Sequence, residues 1–403
     1  MQIVIEELFG HFNYNIAIRD NEMTVLTGPN GFGKSTILKI LLAMAQSDMD
    51  FFFDLAFDKI TFRSAEKEKP FVIEKNENGL IINGVFINQE IYLYFKRGVN
   101  AIRRNTLESR WIEDASQQMS KYSEIANAMS VVVGKVYLIQ EQRLVEVIDR
   151  RERVRQISSE GYGERKIIKT IEQIPRALAK EMGDVASAYS KIANELDSTY
   201  PVRLFDEQSG ITEEEFNKKI EWMQEKVRKL DEYGISNIPS VKNIRFKIED
   251  ARALKIYFED FEKKYEAYAD LIRKLDLYKE IVNKRFKFKK IKIINNEGML
   301  VQDDNGKMLN LTKLSSGEQE IIVLFYRLLF ETPDNVLILI DEPEISLHVA
   351  WQRMFASDLN DIIAEKKIKV IVATHSPQIV AGKQGIQIDL GELYKYGRNN
   401  RDR

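Results

Sequence analysis

The segment that most constrains this chain is 28 GPNGFGKST 36, which fits the pattern G-x-x-x-x-G-K-[ST]. It follows a short apolar block, MTVLT, that predicts a strand, and it precedes TILKILL, whose spacing predicts a helix. Glycines let a backbone wrap closely around phosphate oxygens, and the N-terminus of the next helix adds partial positive charge. The segment therefore predicts a phosphate-binding loop between a strand and a helix, in preference to an ordinary glycine-rich turn.

Each polar residue of this loop has an expected role toward a nucleoside triphosphate. Lys34 is expected to reach the β- and γ-phosphates, and the Ser35 hydroxyl is expected to bind Mg²⁺. The remaining predicted nucleotide-binding positions of the loop are Gly28, Asn30, Gly31, Gly33 and Thr36.

Two adjacent carboxylates end a second apolar block, in 335 NVLILIDEPE 344. Asp341 is expected to hold Mg²⁺ through water, and Glu342 to orient or deprotonate an attacking water. A helix N-terminus with acidic first-turn residues is the alternative, which Pro343 also permits. Beside a phosphate loop, the pattern favours triphosphate hydrolysis.

The bulk composition narrows the class of protein. A chain of 403 residues has room for two or three domains, and its 60 basic and 62 acidic residues argue against a protein that coats nucleic acid. There are no cysteines, so disulfides, thiolate metal sites and cysteine nucleophiles are excluded. No apolar run approaches the ~18 residues of a membrane helix, and the first residues do not resemble a signal peptide. We therefore expect a cytoplasmic protein without a membrane partner.

The pattern along the chain predicts an α/β protein with a helical insertion. Residues 1–27 predict strands, 57–98 (including EIYLYFKRG) an antiparallel meander, and 131–144 a buried strand that runs into a polar loop. VLILI, a helix at 350–365 and IKVIVATHS predict a second strand–helix–strand region. The predicted division is an N-terminal lobe at 1–150, a helical insertion at 151–284 and a C-terminal lobe at 285–403.

The insertion carries helical periods. Thr212 followed by Glu215 is a capping-box pattern, and apolar residues recur every three or four positions after it and again from Leu254 to Val282. Two helices separated by 233 YGISNIPS 240 predict an antiparallel hairpin, either packed in a bundle or projecting as a short coiled coil. Its Phe and Tyr seam must be covered, which suggests a site for higher assembly.

Further motifs in order give the chain a family resemblance. LSSGEQ (314–319) resembles the ABC-ATPase signature, Ser346-Leu347-His348 the D-loop, and Thr374-His375-Ser376 the switch histidine segment. Gln142, or else Gln140, resembles the Q-loop glutamine. The chain is thus identified as similar to ABC-type ATPases. Ser316 and Glu318 stand where transporters have glycine and glutamine, so the signature is more similar to that of the RecF, SMC and OLD-like branch.

This resemblance implies an ABC-ATPase head, with a mixed sheet, an antiparallel β lobe and a short coiled-coil-like insertion. It implies ATP and Mg²⁺ as cofactors, and a homodimer or higher homo-oligomer in which the signature of one copy caps the ATP of the other. Ser315, Gly317 and Glu318 are then nucleotide-binding residues. Glu342, His375 and Gln142 are catalytic, and Gln142 also senses the metal. No adenine-stacking residue stands out, although Tyr14 is a candidate.

Within this branch, some segments resemble the ATPase subunits of bacterial anti-phage systems, above all the phage anti-restriction-induced system (PARIS). They are EQRL (141–144), LDSTYPVRL (196–204), DEPEISLH (341–348) and ATHSPQIV (373–380). Septu-like and retron-associated ATPases are similar alternatives. The resemblance implies a separate nuclease effector, TOPRIM-type in PARIS, and a phage protein as trigger. Since only 28 residues follow His375, we expect any nuclease to be another chain.

Basic stretches keep a DNA-binding alternative open. They are Arg103-Arg104, RRERVR (150–155) and KRFKFKKIK (284–292). In the last, Phe286 and Phe288 alternate with Lys287 and Lys289, which predicts an apolar and a basic face. The basic face is either solvated or binds the DNA backbone, without reading bases. A RecF-like repair ATPase is therefore the alternative function, and a transporter ATPase without its membrane subunit is disfavoured.

Overall fold

The computed structural model describes residues 1–19, 22–64, 69–89, 92–93, 109–139, 145–148, 166–235, 245–345, 347–380 and 384–399. The chain forms two compact units. The first comprises Met1–Glu141 and Thr332–Arg403, and the second comprises Gln142–Glu331. This grouping places the strands just after residue 285 with the helical segment, whereas the sequence pattern placed them with the C-terminal lobe. The predicted three-part division stays a prediction.

A parallel sheet forms the centre of the first unit. Its strands are β3 (Met23–Thr27), β8 (Val136–Ile139), β14 (Leu337–Asp341), β15 (Lys369–Ala373) and β16 (Gln387–Asp389), with the labels numbered along the chain. Their order is β16-β3-β15-β14-β8, and every described pairing is parallel. The first four residues of β14 are all buried, which explains why the segment is continuously apolar instead of alternating.

Helices follow these strands along the chain. They are α1 (Lys34–Gln46), α2 (Met49–Asp54), α8 (Val349–Lys366), α9 (Pro377–Val380) and α10 (Leu390–Asn399). The predicted strand–helix–strand region is confirmed, because β14, α8 and β15 follow one another and β14 pairs with β15 in parallel. The α/β fold class is likewise confirmed.

An antiparallel sheet makes up the rest of the first unit. It contains β1 (Gln2–Leu8), β2 (Phe12–Ala17), β4 (Lys59–Arg63), β5 (Phe71–Asn76), β6 (Gly79–Ile82) and β7 (Val85–Asn88), in the order β2-β1-β4-β5-β6-β7. The predicted N-terminal strands and meander are confirmed as far as β7. The expected strand EIYLYFKRG is wrong where it is described, because Tyr92 and Leu93 are helical.

The predicted strand at 131–144 is confirmed only at Val136–Ile139, and its last five positions, 140–144, lie outside the described residues. Its first three residues end the long helix α3 (Ser109–Val133), and the strand itself, β8, is four residues long. Gly134 has φ 76°, a left-handed conformation that favours glycine, and its N–H donates to the Ser130 carbonyl at 2.9 Å. The valine run therefore closes a helix, since glycine allows the C-terminal turn that separates α3 from β8.

The second unit is built on α4 (Thr170–Asp206), α5 (Glu213–Glu232) and α6 (Ala251–Asn283). Helices α4 and α6 are antiparallel: Arg203 pairs with Asp260 at 2.6 Å, while Tyr189, earlier in α4, contacts Tyr268, later in α6. Among the pairs α5 makes with α6, Lys219–Glu262 lies at 3.6 Å and Lys229–Asp276 at 3.1 Å. The residue numbers of the paired side chains increase together along the two helices, so α5 and α6 are parallel.

The predicted antiparallel hairpin of α5 and α6 is therefore wrong, although both helices and the Thr212–Glu215 capping box are present. The antiparallel partner of α6 is α4, whose period the sequence did not single out. Leu254, Phe258 and Phe261 of α6 pack in one apolar cluster with α5, so part of the expected seam is covered inside the chain. An assembly partner is not needed to bury these residues.

Shorter elements complete the second unit. They are β9 (Val145–Ile148), β10 (Lys166–Lys169), β11 (Lys289–Ile294), β12 (Gly298–Asp303), β13 (Met308–Leu309) and α7 (Ser316–Tyr326). β9 pairs with β10, and β12 lies between β11 and β13, all antiparallel. Among the helices of the described ranges, none is long and apolar enough to cross a membrane.

The ion pair between α4 and α6 provides a test of this helix arrangement. Both Arg203 guanidinium nitrogens Nη1 and Nη2 donate to the Asp260 carboxylate, at 2.6 and 2.7 Å, and the aspartate side chain is only 8% exposed. Arg203→Ala leaves this carboxylate without its cation, so we expect a loss of about 2 kcal/mol or more of stability. Urea unfolding and hydrogen exchange of the α4 and α6 amides measure it.

Arg273→Ala is the matched control. Arg273 pairs with Asp270 at 3.3 Å on the surface of α6, with both side chains more than half exposed, so its removal should cost at most ~0.5 kcal/mol. Equal effects of the two substitutions would contradict the antiparallel packing of α4 on α6.

Candidate functional site

Three loops of the first unit meet at one edge of the parallel sheet, because parallel strands place their C-terminal ends together. The phosphate loop follows β3, the switch segment follows β15, and the acidic pair ends β14, in adjacent positions of the strand order. Backbone bonds hold these loops together: the Thr374 N–H donates to the Leu26 carbonyl at 3.0 Å, and the Glu342 N–H donates to the Ala373 carbonyl at 2.8 Å.

The phosphate loop has the backbone shape that its glycines predict. Gly28 has φ 142° and Gly33 has φ 82°, conformations that disfavour other residues. A Cβ on Gly33 would lie 3.0 Å from Leu8, and one on Gly28 would lie 3.3 Å from Leu390, so neighbouring side chains also restrict both positions. No side chain caps α1, whose first residue is Lys34. Its N-terminal N–H groups therefore keep their capacity to bind an anion.

Lys34 lies within the loop rather than in solvent. Its ammonium donates to the carbonyls of Gly28 at 2.8 Å and Pro29 at 3.3 Å, and the residue is 5% exposed. These bonds hold the ammonium against the backbone of the loop. The predicted loop residues Asn30 and Gly31 are exposed, and Thr36 is half-buried in the first turn of α1.

Tyr14 does not act as an adenine-stacking residue in this structure, because it is 2% exposed. Its hydroxyl donates to the Phe32 carbonyl at 2.8 Å, so the Tyr14 side chain is hydrogen-bonded to the backbone of the phosphate loop. Burial, and then the neighbouring Tyr394, raise the pKa of the Tyr14 phenol, which keeps it a neutral donor. The aromatic rings of Phe12, Phe32 and Tyr394 form a half-buried cluster around it. The sequence analysis did not single out this cluster.

Ser35 and Asp341 meet as predicted for a shared cation. The Ser35 hydroxyl donates to the Asp341 carboxylate at 3.0 Å, although 306 positions separate them in the chain. A hydroxyl and a carboxylate are the hard oxygen donors that Mg²⁺ prefers. The pair thus fits the expected magnesium site, with Asp341 the charged member.

Glu342 has an unusual backbone conformation. Its φ of 44° is left-handed, which is uncommon outside glycine and costs of order 1 kcal/mol or more. The carboxylate Oε1 lies 3.5 Å from Nδ1 of His375. The two predicted catalytic residues on adjacent strand ends are therefore neighbours. Gln142 and its alternative Gln140 lie outside the described residues, as does Ser346.

Glu344 is a site residue that the sequence analysis missed. One of its oxygens, Oε1, accepts from the Thr374 hydroxyl at 2.5 Å, the His375 N–H at 2.8 Å and the Ser376 N–H at 3.2 Å. The same oxygen lies 3.3 Å from Nδ1 of His375, and the residue is 7% exposed. The available signal was its position, two residues beyond the two adjacent carboxylates predicted at the end of a buried strand.

A cavity of about 650 Å³ lies between the phosphate loop and the switch segment. Its lining includes Gly28, Asn30, His375, Gln387 and Asp389. Gln387 donates to the Thr27 hydroxyl at 2.8 Å, so β16 contributes polar groups to this space. The sequence analysis had no expectation for β16, because it is only three residues long.

The signature segment belongs to the second unit, where Ser315 caps helix α7. Its hydroxyl and N–H both donate to the Glu318 carboxylate, at 2.9 and 3.0 Å, and Gly317 lies in the first turn. Lys289 of β11 pairs with the same carboxylate at 2.9 Å. Burial alone would raise the pKa of Glu318, but the bonds from Lys289 and Ser315 outweigh it and lower that pKa. Nucleotide contacts of these residues stay predictions.

The predicted alternation around Lys289 is partly wrong. Phe286 is buried, but Phe288 is 79% exposed, because its φ of 60° turns the chain just before β11 begins. Within β11, Ile291 and Ile293 are buried and the intervening lysines are exposed. A basic face therefore exists, but its apolar counterpart is isoleucine. The other two basic stretches, Arg103-Arg104 and 150–155, lie outside the described residues.

A parallel sheet with this loop after β3, and a serine–aspartate pair that joins α1 to the end of β14, defines a P-loop nucleotide hydrolase. The chain belongs to the AAA ATPase domain family, whose model matches residues 7–380. It is therefore an ATP-binding ATPase, and this family implies ATP with Mg²⁺.

Other proteins resemble parts or all of the chain. Protein ea59 of Escherichia phage lambda is 27% identical over 101 residues, a match that covers 22% of this chain and 19% of that protein. The chain thus spans about a fifth of the length of this relative.

Three solved SMC head structures are also similar. An SMC head bound to the C-winged helix domain of ScpA has a TM-score of 0.39 and 12% identity, over 94% of this chain and 90% of that chain. The Thermotoga maritima SMC head domain has a TM-score of 0.34 and 11% identity, again over 94% of this chain and 90% of that chain. The Pyrococcus furiosus Smc head domain, with an extended coiled coil and bound to the C-terminal domain of ScpA, has a TM-score of 0.37 and 13% identity. That match covers 99% of this chain and 98% of that chain. Such low scores carry no argument about function.

Replacing the loop lysine tests the site. Lys34→Ala removes the ammonium that the Gly28 and Pro29 carbonyls hold, so we expect ATP affinity to fall at least 100-fold, corresponding to about 2.7 kcal/mol. Equilibrium binding of a fluorescent ATP analogue measures it. Lys39→Ala, on the exposed side of α1, is the control and should bind like the wild type. Equal affinity of all three proteins would refute the assignment of the loop.

Proposed function

We propose that this protein is an ABC-type ATPase that hydrolyses ATP at two sites shared between two copies, and that it regulates a separate effector in bacterial anti-phage defence. The observation that carries the ATPase part is the meeting of three strand ends: Ser35 lies 3.0 Å from Asp341, and Glu342 lies 3.5 Å from His375. The defence part rests on the resemblance of sequence segments to anti-phage ATPases.

Each residue at these strand ends has a proposed part in hydrolysis. Ser35 and, through water, Asp341 would hold Mg²⁺, which would neutralise charge on the phosphates. Lys34 and the N-terminal amides of α1 bind and orient the triphosphate. Glu342 orients the attacking water and accepts its proton, while His375 stabilises charge on the γ-phosphate. Gln142 is proposed to sense both metal and water.

The second half of each site is proposed to come from the other copy. Ser315, which caps α7, is exposed, and the Gly317 amide lies in the first turn, where a helix N-terminus favours anions. The Ser315 hydroxyl and N–H are held by Glu318, and Lys289 compensates the negative charge of that carboxylate. A triphosphate would thus bind next to a serine whose orientation is already set. The negative charge of Glu318 beside it is largely cancelled by Lys289. ATP is proposed to close the dimer, and hydrolysis to open it.

Complementation between two inactive variants tests the shared site. Lys34→Ala inactivates the phosphate loop, and Ser315→Arg blocks the signature, so each homodimer should be inactive. In a mixture, half the dimers pair the two variants and each has one intact site, which should restore roughly a quarter of the wild-type rate per chain. Steady-state ATPase assays of the mixture measure this. No recovery, with both variants folded, would refute sites shared between copies.

Glu342→Gln tests the proposed catalytic base and should retain the ATP-bound dimer. It keeps the shape of the side chain but removes the base, so ATP should bind and hydrolysis should fall by 100-fold or more. Mass photometry with ATP-Mg²⁺ should then find a lasting dimer, which Ser315→Arg should abolish. Hydrolysis at the wild-type rate would remove Glu342 from the catalytic role.

The defence role requires an effector. In the proposal, the ATPase holds a separate nuclease of TOPRIM type, as the resemblance to PARIS implies, and a phage protein triggers its release. The Glu342→Gln variant, purified from its native operon with ATP-Mg²⁺, should carry a second, smaller protein. That protein should cleave nucleic acid only after it is released. A bare dimer that retains no second chain would count against this role.

A RecF-like repair ATPase is the second candidate. Lys290 and Lys292 of β11 are exposed, as are Lys287 and Phe288 just before it in the chain. We call the three lysines the basic strip. DNA bound by such a strip should show ATP-dependent affinity that falls steeply between 50 and 200 mM salt, as expected of phosphate contacts. Salt-dependent gain of mass with duplex DNA, in the absence of an effector, would favour this candidate.

A further inference from the structure

We propose that Glu344 and Gln352 form a positioning clamp, which ties the turn after β14 to the switch segment after β15 and thereby holds His375 beside Glu342. This inference rests on the proposed hydrolytic role of Glu342 and His375. Neither Glu344 nor Gln352 has a predicted role in binding nucleotide, and neither was singled out by the sequence analysis.

Glu344 fixes the backbone of the switch segment, not only a side chain. Its Oε1 accepts the N–H groups of His375 and Ser376 as well as the Thr374 hydroxyl. Glu344 is 7% exposed and its Oε2 is buried without a hydrogen-bond partner among the described residues, so the three donors at Oε1 supply the bonds that offset the lost hydration. Displacing the switch segment would remove all three donors together, so the carboxylate opposes that movement.

Gln352, in the first turn of α8, uses both ends of its amide. Its Nε2 donates to the Leu347 carbonyl at 2.8 Å and to the Glu344 carbonyl at 3.4 Å, and its Oε1 accepts from the Ser376 hydroxyl at 2.7 Å. The Ser376 Oγ itself accepts the Gln378 N–H at 3.2 Å, so its proton is directed to Gln352. One side chain therefore connects the turn at 344–347, helix α8 and the switch segment.

The clamp leaves His375 with little freedom. Its Nδ1 lies 3.3 Å from Glu344 Oε1 and 3.5 Å from Glu342 Oε1, so the ring stands between two carboxylates. The ring is 48% exposed, so we infer that its position depends mainly on the backbone that Glu344 and Gln352 restrain. Movement of the Leu347–His348 turn would therefore be transmitted to His375. That turn is the predicted D-loop.

A merely structural role for Gln352 predicts a different result from a positioning role. If the amide only stabilised the fold, its loss would lower stability and leave the turnover of folded protein unchanged. If it positions His375, turnover falls while nucleotide binding is kept, because Gln352 has no contact with the phosphate loop among its described bonds. The division between kcat and KM therefore separates the two roles.

The test uses Gln352→Met, which keeps the length of the side chain but removes its donor and acceptor. We expect kcat for ATP to fall about tenfold, with KM and ATP-dependent dimerisation within twofold of wild type. Arg353→Met is the matched control, because Arg353 is the next residue, is exposed, and bonds to Gln378 at 2.7 Å outside the clamp. It should retain the wild-type kcat. An unchanged kcat in Gln352→Met overturns the clamp.

A double-mutant cycle adds a second readout. Ser376→Ala removes only the hydroxyl that donates to Gln352, so it should lower kcat in the same direction, and the Gln352→Met/Ser376→Ala double variant should fall no further than Gln352→Met. Additive losses would show that the two residues act separately and would overturn the clamp.

Hydrogen exchange keeps the clamp testable even without turnover. The amides of Thr374, His375 and Ser376 should exchange at least severalfold faster in Gln352→Met than in wild type or Arg353→Met, and equal rates overturn the clamp. If wild type does not hydrolyse ATP, the proposed function fails while this measurement still decides the clamp. If wild type hydrolyses ATP and Gln352→Met does so equally well, only the clamp fails.

Discussion

The parallel pairing of β3 with β15 and of β15 with β14 is the constraint on which the site depends. It brings a loop near residue 30, a pair near 341 and a segment near 375 to one edge of one sheet. Backbone bonds continue the register beyond the strands, from Thr374 to Leu26 and from Glu342 to Ala373. A slip of one residue in either pairing would turn every side chain of a strand to its other face and would separate Ser35 from Asp341.

Charge balance inside each unit is the second constraint. Lys34 is held by loop carbonyls, Glu344 by three donors of the switch segment, and Glu318 by Lys289 and Ser315. Each of these groups would be costly to bury alone, because the loss of hydration is not recovered without a partner. The polar groups of both units are thus positioned by bonds within the chain. Even a small displacement of a loop would break such bonds and cost free energy. Segments that share these bonds are therefore coupled.

Local pattern and long-range geometry differ in how well they could be predicted. The phosphate loop, the N-terminal strands and the acidic end of β14 follow from motifs with a fixed local context. The direction of α5 relative to α6 does not, because an apolar stripe specifies that a helix is covered and not by which neighbour. Phe288 was misassigned for a related reason, since alternation assumes extended backbone and a single left-handed residue ends it. Glu344 was missed because its donors lie on another strand end, 30 or more positions away.

By itself, the sequence determined that the chain has a phosphate-binding loop, an acidic strand end and helices with apolar stripes, because each depends on residues that are close together in the chain. Only the tertiary structure decided which side chains share a hydrogen bond or a charge: Tyr14 with the phosphate loop, Lys289 with Glu318, and Gln352 with Ser376. These contacts depend on strand order, helix direction and register. Such properties are set by the burial of many residues at once, so no short segment encodes them.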